Sequence, residues 1–251
     1  MQRTPLIAGN WKMHTTIAEA KELAKAVAAA AQGLTDRQVM IAPPFTAIAA
    51  VAETVKGSPV LLAGQNVCWE EKGAFTGEIA PAMLLDAGCT MAIIGHSERR
   101  HIFGETDTMV NKRTEGAMKA GLTPILCIGE TLAQREANQT FAVLERQTRE
   151  GLAGIAIAEP TRVVVAYEPV WAIGTGKTAT TEQAQEVHAF VRGVLAELYE
   201  KNVASQIRIL YGGSVNSDNV DALMAQSDVD GALVGGAALK AESFTRIIRF
   251  Q

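Results

Sequence analysis

Eight short apolar runs, each followed by sequence of helical pattern, constrain this chain more than any other feature. The runs are Leu6–Gly9, Val39–Ala42, Val60–Ala63, Met91–Ile94, Thr123–Ile128, Arg162–Tyr167, Ile207–Tyr211 and Gly231–Val234. They are mostly apolar at every position, which suits buried parallel strands and not half-exposed antiparallel ones. Between them, Ile17 to Ala31 sets Leu23 and Val27 four apart among Glu19, Lys21 and Glu22. Glu182 to Lys201 carries Val187, Val191, Val194, Leu195 and Leu198 on one stripe. Asp107 and Asn216 read as helix N-caps. Repeated strand–helix units favour a parallel sheet. Eight of them in 251 residues match the size of a closed (β/α)8 barrel. An open doubly wound sheet is the alternative, but it normally places a glycine-rich dinucleotide loop after its first strand. Here Gly9-Asn10-Trp11-Lys12 follows instead. With no linker or low-complexity tract, residues 1–251 read as one domain.

Composition removes several classes of function. The chain is 48% hydrophobic and 20% charged, with a formal net charge of −4. It has no basic stripe, so nucleic acid is not an expected partner. The alanine-rich stretch near Val27 to Ala31 is too short to cross a bilayer, and Met1 to Ala8 lacks the apolar core of a signal peptide. No membrane partner is expected. Three cysteines, Cys68, Cys89 and Cys127, form neither a disulfide framework nor a zinc pattern. A reducing, cytoplasmic setting is the expectation.

In a barrel of this kind, chemistry collects at the C-terminal ends of the strands. Asn10 and Lys12 follow the first run, and His96, Ser97 and Glu98 follow the fourth. Glu168 closes the sixth run, Gly212-Gly213-Ser214 follow the seventh, and Gly235-Gly236 follow the eighth. Taken singly, each has a plain reading: a salt-bridged glutamate, a structural histidine, a solvated lysine, glycines that only end strands. Their convergence on one rim reverses that weighting. The two glycine pairs suit close approach of backbone N–H groups to a phosphate. Gly174-Thr175-Gly176-Lys177-Thr178 looks like the end of a P-loop, but Trp171 stands where the motif needs glycine, so no nucleotide site is expected. His14, His101 and His188 lack ligand company at metal spacing, so no metal is expected.

Five segments together resemble the triosephosphate isomerase family. They are Ala8–Met13, Gly73–Glu78, Ile94–Arg100, Ala166–Gly176 and Tyr211–Ser214, in family order along essentially the whole chain. The resemblance implies a (β/α)8 TIM barrel and interconversion of dihydroxyacetone phosphate and glyceraldehyde 3-phosphate, with no cofactor. It implies Glu168 as base, His96 as electrophile, and Lys12 and Asn10 in the catalytic substrate site. It assigns phosphate contacts to Gly174, Ser214, Gly235 and Gly236. It further implies a homodimer in which the loop around Thr76 reaches the neighbouring subunit, and a cytoplasmic role in glycolysis and gluconeogenesis. Pro169 to Thr178, attached to Glu168, reads as a lid over the site. Ala63-Gly64-Gln65-Asn66 and His14 depart slightly from the family pattern, away from the chemistry.

Two other classes remain open from the residues alone. A barrel aldolase wants a Schiff-base lysine on an inner strand, where the sixth ends in Glu168 instead, and a metal-dependent epimerase wants His and Asp ligands on several strands, where only His96 is available. A non-catalytic phosphate-binding barrel would need neither base nor electrophile.

Overall fold

A computed structural model describes residues 3–173 and 179–251 of the chain. Eight parallel strands close into a barrel in sequence order. They are β1 Leu6–Asn10, β2 Gln38–Ala42, β3 Val60–Gly64, β4 Met91–Ile94, β5 Thr123–Ile128, β6 Val164–Tyr167, β7 Arg208–Tyr211 and β8 Gly231–Val234. The barrel closes where β8 pairs β1 with Leu6 opposite Gly231. The two-sided apolar runs now have a reason. Alternate residues such as Leu6, Met40, Ile93, Ile125, Val164 and Leu210 fill the barrel interior. The residues between them, such as Ile7, Ile41, Ile94, Leu126 and Val165, pack outward against the helices. Both faces of each strand are therefore dry.

Strand ends differ from the sequence expectation by one or two residues. The largest difference is at the sixth run, where Arg162 belongs to a 3-10 turn, Pro160–Arg162, and the strand begins at Val164. At the first run the strand extends to Asn10, which carries that side chain to the rim.

The helix Ile17–Ala31 forms as its periodicity requires, opened by a capping box in which Thr16 and Glu19 satisfy each other's backbone N–H. The stripe expected to run from Glu182 to Lys201 is divided. One helix spans Thr181–Tyr199, capped by Thr180 and Gln183, and a short one spans Lys201–Ala204. Glu200 between them takes a left-handed φ of 75°, which no α-helix can pass through. The two expected caps also shift. Thr106, not Asp107, caps the helix Asp107–Ala120. Asp107 is its first residue, where it pairs with Arg100 at 2.5 Å and with Arg146. Asn216 caps a turn by accepting from the Asp218 and Asn219 amides, and the helix Val220–Met224 starts only after Asn219.

The long β3–β4 connection is tied to the barrel at its base. Arg113, fully buried, donates to the Val67 carbonyl at 2.6 Å and to Glu78 at 2.8 Å. Residues 70–77 beyond that anchor are exposed. All three cysteines are free and buried. Among the described residues, no helix is long and apolar enough to cross a membrane.

His188, on the helix Thr181–Tyr199, is fully buried beside Tyr167 and Tyr211. Its Nδ1 lies 2.6 Å from the Ala184 carbonyl, so that nitrogen carries the proton. Burial lowers its pKa from 6.5 to about 4. The unfolded chain then takes up the proton first. Stability is complete above pH ~6.5 and declines as pH falls towards 4, by about 3 kcal/mol in total from this group. Urea denaturation between pH 7 and 4 should show that decline, and His188→Phe should flatten it. An unchanged pH slope in the variant would show that other groups govern it.

Candidate active site

The C-terminal rim opens into a cavity of about 540 Å³. Its lining brings together Asn10, Lys12, His96, Glu168, Ser214, Gly235 and Gly236 from five different strand ends. Gly174, the remaining expected phosphate contact, lies outside the described residues, as does the lid expectation beyond Ile173.

Glu168 follows β6 directly and is almost completely buried. Its Oε1 lies 3.0 Å from His96 Nε2, and its Oε2 accepts the Ser97 N–H at 2.9 Å. Burial alone would raise its pKa. The Nε2–H bond from His96, the Ser97 N–H bond and the Lys12 charge outweigh burial and hold the carboxyl below its ordinary value. The group is therefore ionised at neutral pH, as a base must be.

His96 sits at the N-cap of the helix Ser97–His101, where its Nδ1 accepts the Glu98 N–H at 3.2 Å. A ring nitrogen that accepts carries no proton, so the proton is on Nε2, facing Glu168. Burial pulls the His96 pKa down and the adjacent Glu168 pushes it up, with a net rise while the two remain in contact. A second proton would nevertheless have to occupy Nδ1 against the Glu98 N–H. The Glu98 carboxylate, 3.5 Å from Nδ1, is too far to reward it with a normal hydrogen bond. The geometry therefore selects the neutral ring.

Lys12 has a left-handed backbone, φ 52°, which is strained for a residue with a side chain. Two contacts hold it there. Its N–H donates to Asn10 Oδ1 at 3.0 Å, and Gln65 Nε2 donates to its carbonyl at 2.8 Å. The ammonium meets Glu98 Oε1 at 2.7 Å. It thus stands in the cavity mouth, close to Gly235, with one anionic partner and donors to spare.

The glycines serve more than one purpose. A Cβ on Gly212 would lie 2.8 Å from Glu168 Cγ, so this glycine clears room for the carboxylate. A Cβ on Gly236 would meet nothing, which leaves its backbone open to the cavity.

Several residues that the strand-end reading passes over also shape the site. Gln65 follows β3 and ties Lys12 to the Ala42 carbonyl. Gly129 and Glu130 follow β5. A Cβ on Gly129 would lie 1.8 Å from the Glu168 carbonyl oxygen, so only glycine lets these two strands approach. Glu130, fully buried, accepts from Trp171 Nε1 at 2.9 Å and Tyr167 Oη at 3.2 Å, and so fixes the chain just beyond Glu168. The same rule that picks out the fourth and sixth runs, applied to the third and fifth, would have found them.

Comparison with known proteins decides the family. The family model "Triosephosphate isomerase" matches residues 5–251. The chain belongs to the triosephosphate isomerase family. It is 57% identical over 249 residues to the triosephosphate isomerase of Trichlorobacter lovleyi, covering 99% of each chain. It is 56% identical over 248 residues to that of Geotalea uraniireducens, again covering 99% of each. With the enzyme of Roseiflexus sp. it shares 53% identity, over 99% of this chain and 98% of the relative. The open doubly wound sheet is excluded by the closed strand order.

Nitrogen-15 spectra of labelled protein should show His96 as a neutral ring at pH 7, protonated on Nε2 alone. Two protonated-type nitrogen resonances from this ring would overturn the tautomer.

Proposed function

We propose that this chain interconverts dihydroxyacetone phosphate and D-glyceraldehyde 3-phosphate as a single catalytic domain of residues 1–251, without metal or cofactor. The observation that carries this reading is the ionised Glu168 carboxylate 3.0 Å from the protonated Nε2 of His96, at the wall of a cavity rimmed by Lys12 and open glycine backbone. Membership of an isomerase family supports it.

The steps follow from the groups present. The substrate's phosphate lies against the backbone of Gly235, Gly236 and Ser214, with Lys12 supplying charge. Glu168 exchanges its contacts with His96 and Ser97 for the substrate and removes a proton from the carbon next to the carbonyl. The electrons move to the carbonyl oxygen, giving an enediolate. His96 Nε2–H and the Lys12 ammonium face that oxygen and stabilise the charge as it develops. The hydroxyl proton on the first carbon passes to the charged oxygen of the second by way of His96 Nε2, and Glu168 returns its proton to that second carbon, so no redox cofactor is consumed. Asn10 holds the Lys12 amide and so sets the backbone from which the ammonium projects. Gly174 is proposed as a further phosphate contact. Rooted at Glu130 through Trp171, the segment from Pro169 serves as a lid that excludes water.

Glu168→Asp should retract the carboxylate by about one bond and lower kcat by ~10²-fold with the thermal midpoint nearly unchanged. His96→Gln should also cripple turnover while leaving stability close to wild type. A coupled isomerase assay with thermal denaturation checks both. Full activity in either variant removes that residue from the mechanism.

The working form is proposed to be a cytoplasmic homodimer. Met13, Met83, Ile102 and Phe103 are large apolar side chains between 58% and 94% exposed, and Phe75 on the projecting loop is 40% exposed. Met13 and Phe103 line one cavity beside the site, and exposed apolar side chains so grouped mark an interface. A small cavity of about 140 Å³ between Asn10, Lys12, Met13, Gln65, Glu98 and Phe103 adjoins the site and is suited to the tip of a partner's Thr76 loop. Sedimentation should give twice the chain mass, and Thr76→Arg should shift the protein to monomer with a large loss of kcat. A wild-type monomer with full activity would overturn this.

A further inference from the structure

The N-terminal end of the barrel, opposite the active site, holds a second cavity of about 470 Å³. Strand starts build its wall: Gln38 opens β2, Thr90 precedes β4, Thr123 opens β5, Arg162 precedes β6 and Arg208 opens β7. Three arginines line it, Arg3, Arg162 and Arg208, and among the described residues no carboxylate does.

The three arginines are not equivalent. Arg3 is fully engaged, with Asp230 at 2.5 Å and the carbonyls of Ser205 and Ser227 at 3.0 and 2.8 Å. Asp230 is also shared with Arg192 at 2.7 Å, so its charge is already claimed. Arg208 differs. Its residue is only 9% exposed, and its guanidinium makes one hydrogen bond, to Gln38 Oε1 at 2.6 Å. It is ion-paired with no carboxylate among the described residues. Gln38 stands three strands away around the barrel, so the guanidinium crosses the barrel floor, where the residue lines the cavity. The half-buried Arg162 guanidinium likewise has no ion pair among the described residues.

A buried guanidinium without a countercharge is costly, and the fold tolerates it only where something offsets the charge. Burial draws the Arg208 pKa down, and Asp230, which accepts the neighbouring Ile209 N–H and is shared by Arg3 and Arg192, only partly restores it. Around these two cations stand hydroxyls and amides, not competing anions. A guanidinium fork fits carboxylate and phosphate alike, but hydroxyl and amide donors from β2, β4 and β5 beside two forks can satisfy an anion with more than two oxygens. The cavity exceeds the needs of a single phosphate group and falls within the range of small-ligand sites.

We propose that the barrel floor binds a compact multivalent phosphoryl anion, of the diphosphate or phosphate-ester class, between Arg208 and Arg162. The Thr90 and Thr123 hydroxyls and the Gln38 amide complete the cradle. The site is separate from the catalytic rim and shares no residue with it.

The full-length protein should be titrated with inorganic pyrophosphate and followed by backbone amide NMR. Gln38, Thr90 and Arg208 report on the floor, and Gly213 and Gly235 report on the rim. The floor amides should move saturably with one ligand per chain. Arg162→Gln should weaken that response about tenfold, as loss of a charged contact does, and leave the rim response and the basal isomerase activity unchanged. Arg208→Gln should abolish it; if that variant does not fold, Arg208→Lys, which keeps the charge but loses the fork, should weaken it. Floor amides that stay still while the rim saturates would overturn the site. So would an identical floor response in Arg162→Gln, and an equal response to citrate would overturn the phosphoryl preference. Failure of the isomerase reading would instead appear at the rim and in the coupled assay.

Discussion

Everything in this molecule depends on backbone meeting backbone where the sheet closes. β8 lies against β1 with Gly231 opposite Leu6, and a Cβ on Gly231 would fall 2.0 Å from the Leu6 carbonyl oxygen. Gly231 also takes a φ of 143°, a conformation that residues with side chains rarely adopt. Closure removes both sheet edges, so every strand is buried on two faces and paired on two sides. It also fixes direction. With all strands parallel, each C-terminal end arrives at the same rim, and residues as far apart in sequence as Asn10 and Gly236 share one cavity.

That rim concentrates charge and pairs it within the cavity, Lys12 with Glu98 and Glu168 with His96. Glu168 is ionised because the N–H bonds from His96 Nε2 and the Ser97 amide, with the Lys12 charge, outweigh its burial. His96 stays neutral because the Glu98 amide occupies its other nitrogen. Base and electrophile thus each accept one of two successive backbone N–H groups of one short helix. Lys12 is held in a strained backbone by Asn10 and Gln65, an arrangement that costs stability and places a cation where substrate charge would develop. The opposite end of the barrel differs. There a buried arginine faces a cavity that no carboxylate lines among the described residues, whereas the rim sets its cation against Glu98.

Much of this was legible in the chain itself. Two-sided apolar runs separated by amphipathic stretches imply a parallel sheet covered on both faces, and their number implies closure. The polar residues after the first, fourth, sixth, seventh and eighth runs are the ones the rim assembles. Local chemistry was legible where it is short-range, as in the Thr16 and Thr180 capping boxes. It failed where tertiary contacts compete. Asp107 reads as a cap because aspartate suits that position, yet its carboxylate is drawn to Arg100 and Arg146 and Thr106 takes the cap. The helix stripe from Glu182 gives no warning of the break at Glu200, since apolar spacing continues past it.

What the sequence by itself determined is the set of side chains that would face inward, outward and towards the rim, because strand and helix periods are properties of the local backbone. Only the tertiary structure decided which atoms meet. That Gly212 exists to clear Glu168, that Gly129 lets β5 approach β6, and that Arg208 crosses the barrel floor to Gln38 all depend on distances between remote strands. Those distances are set by barrel closure and close packing, which act on the whole chain at once and leave no mark in any short window of it.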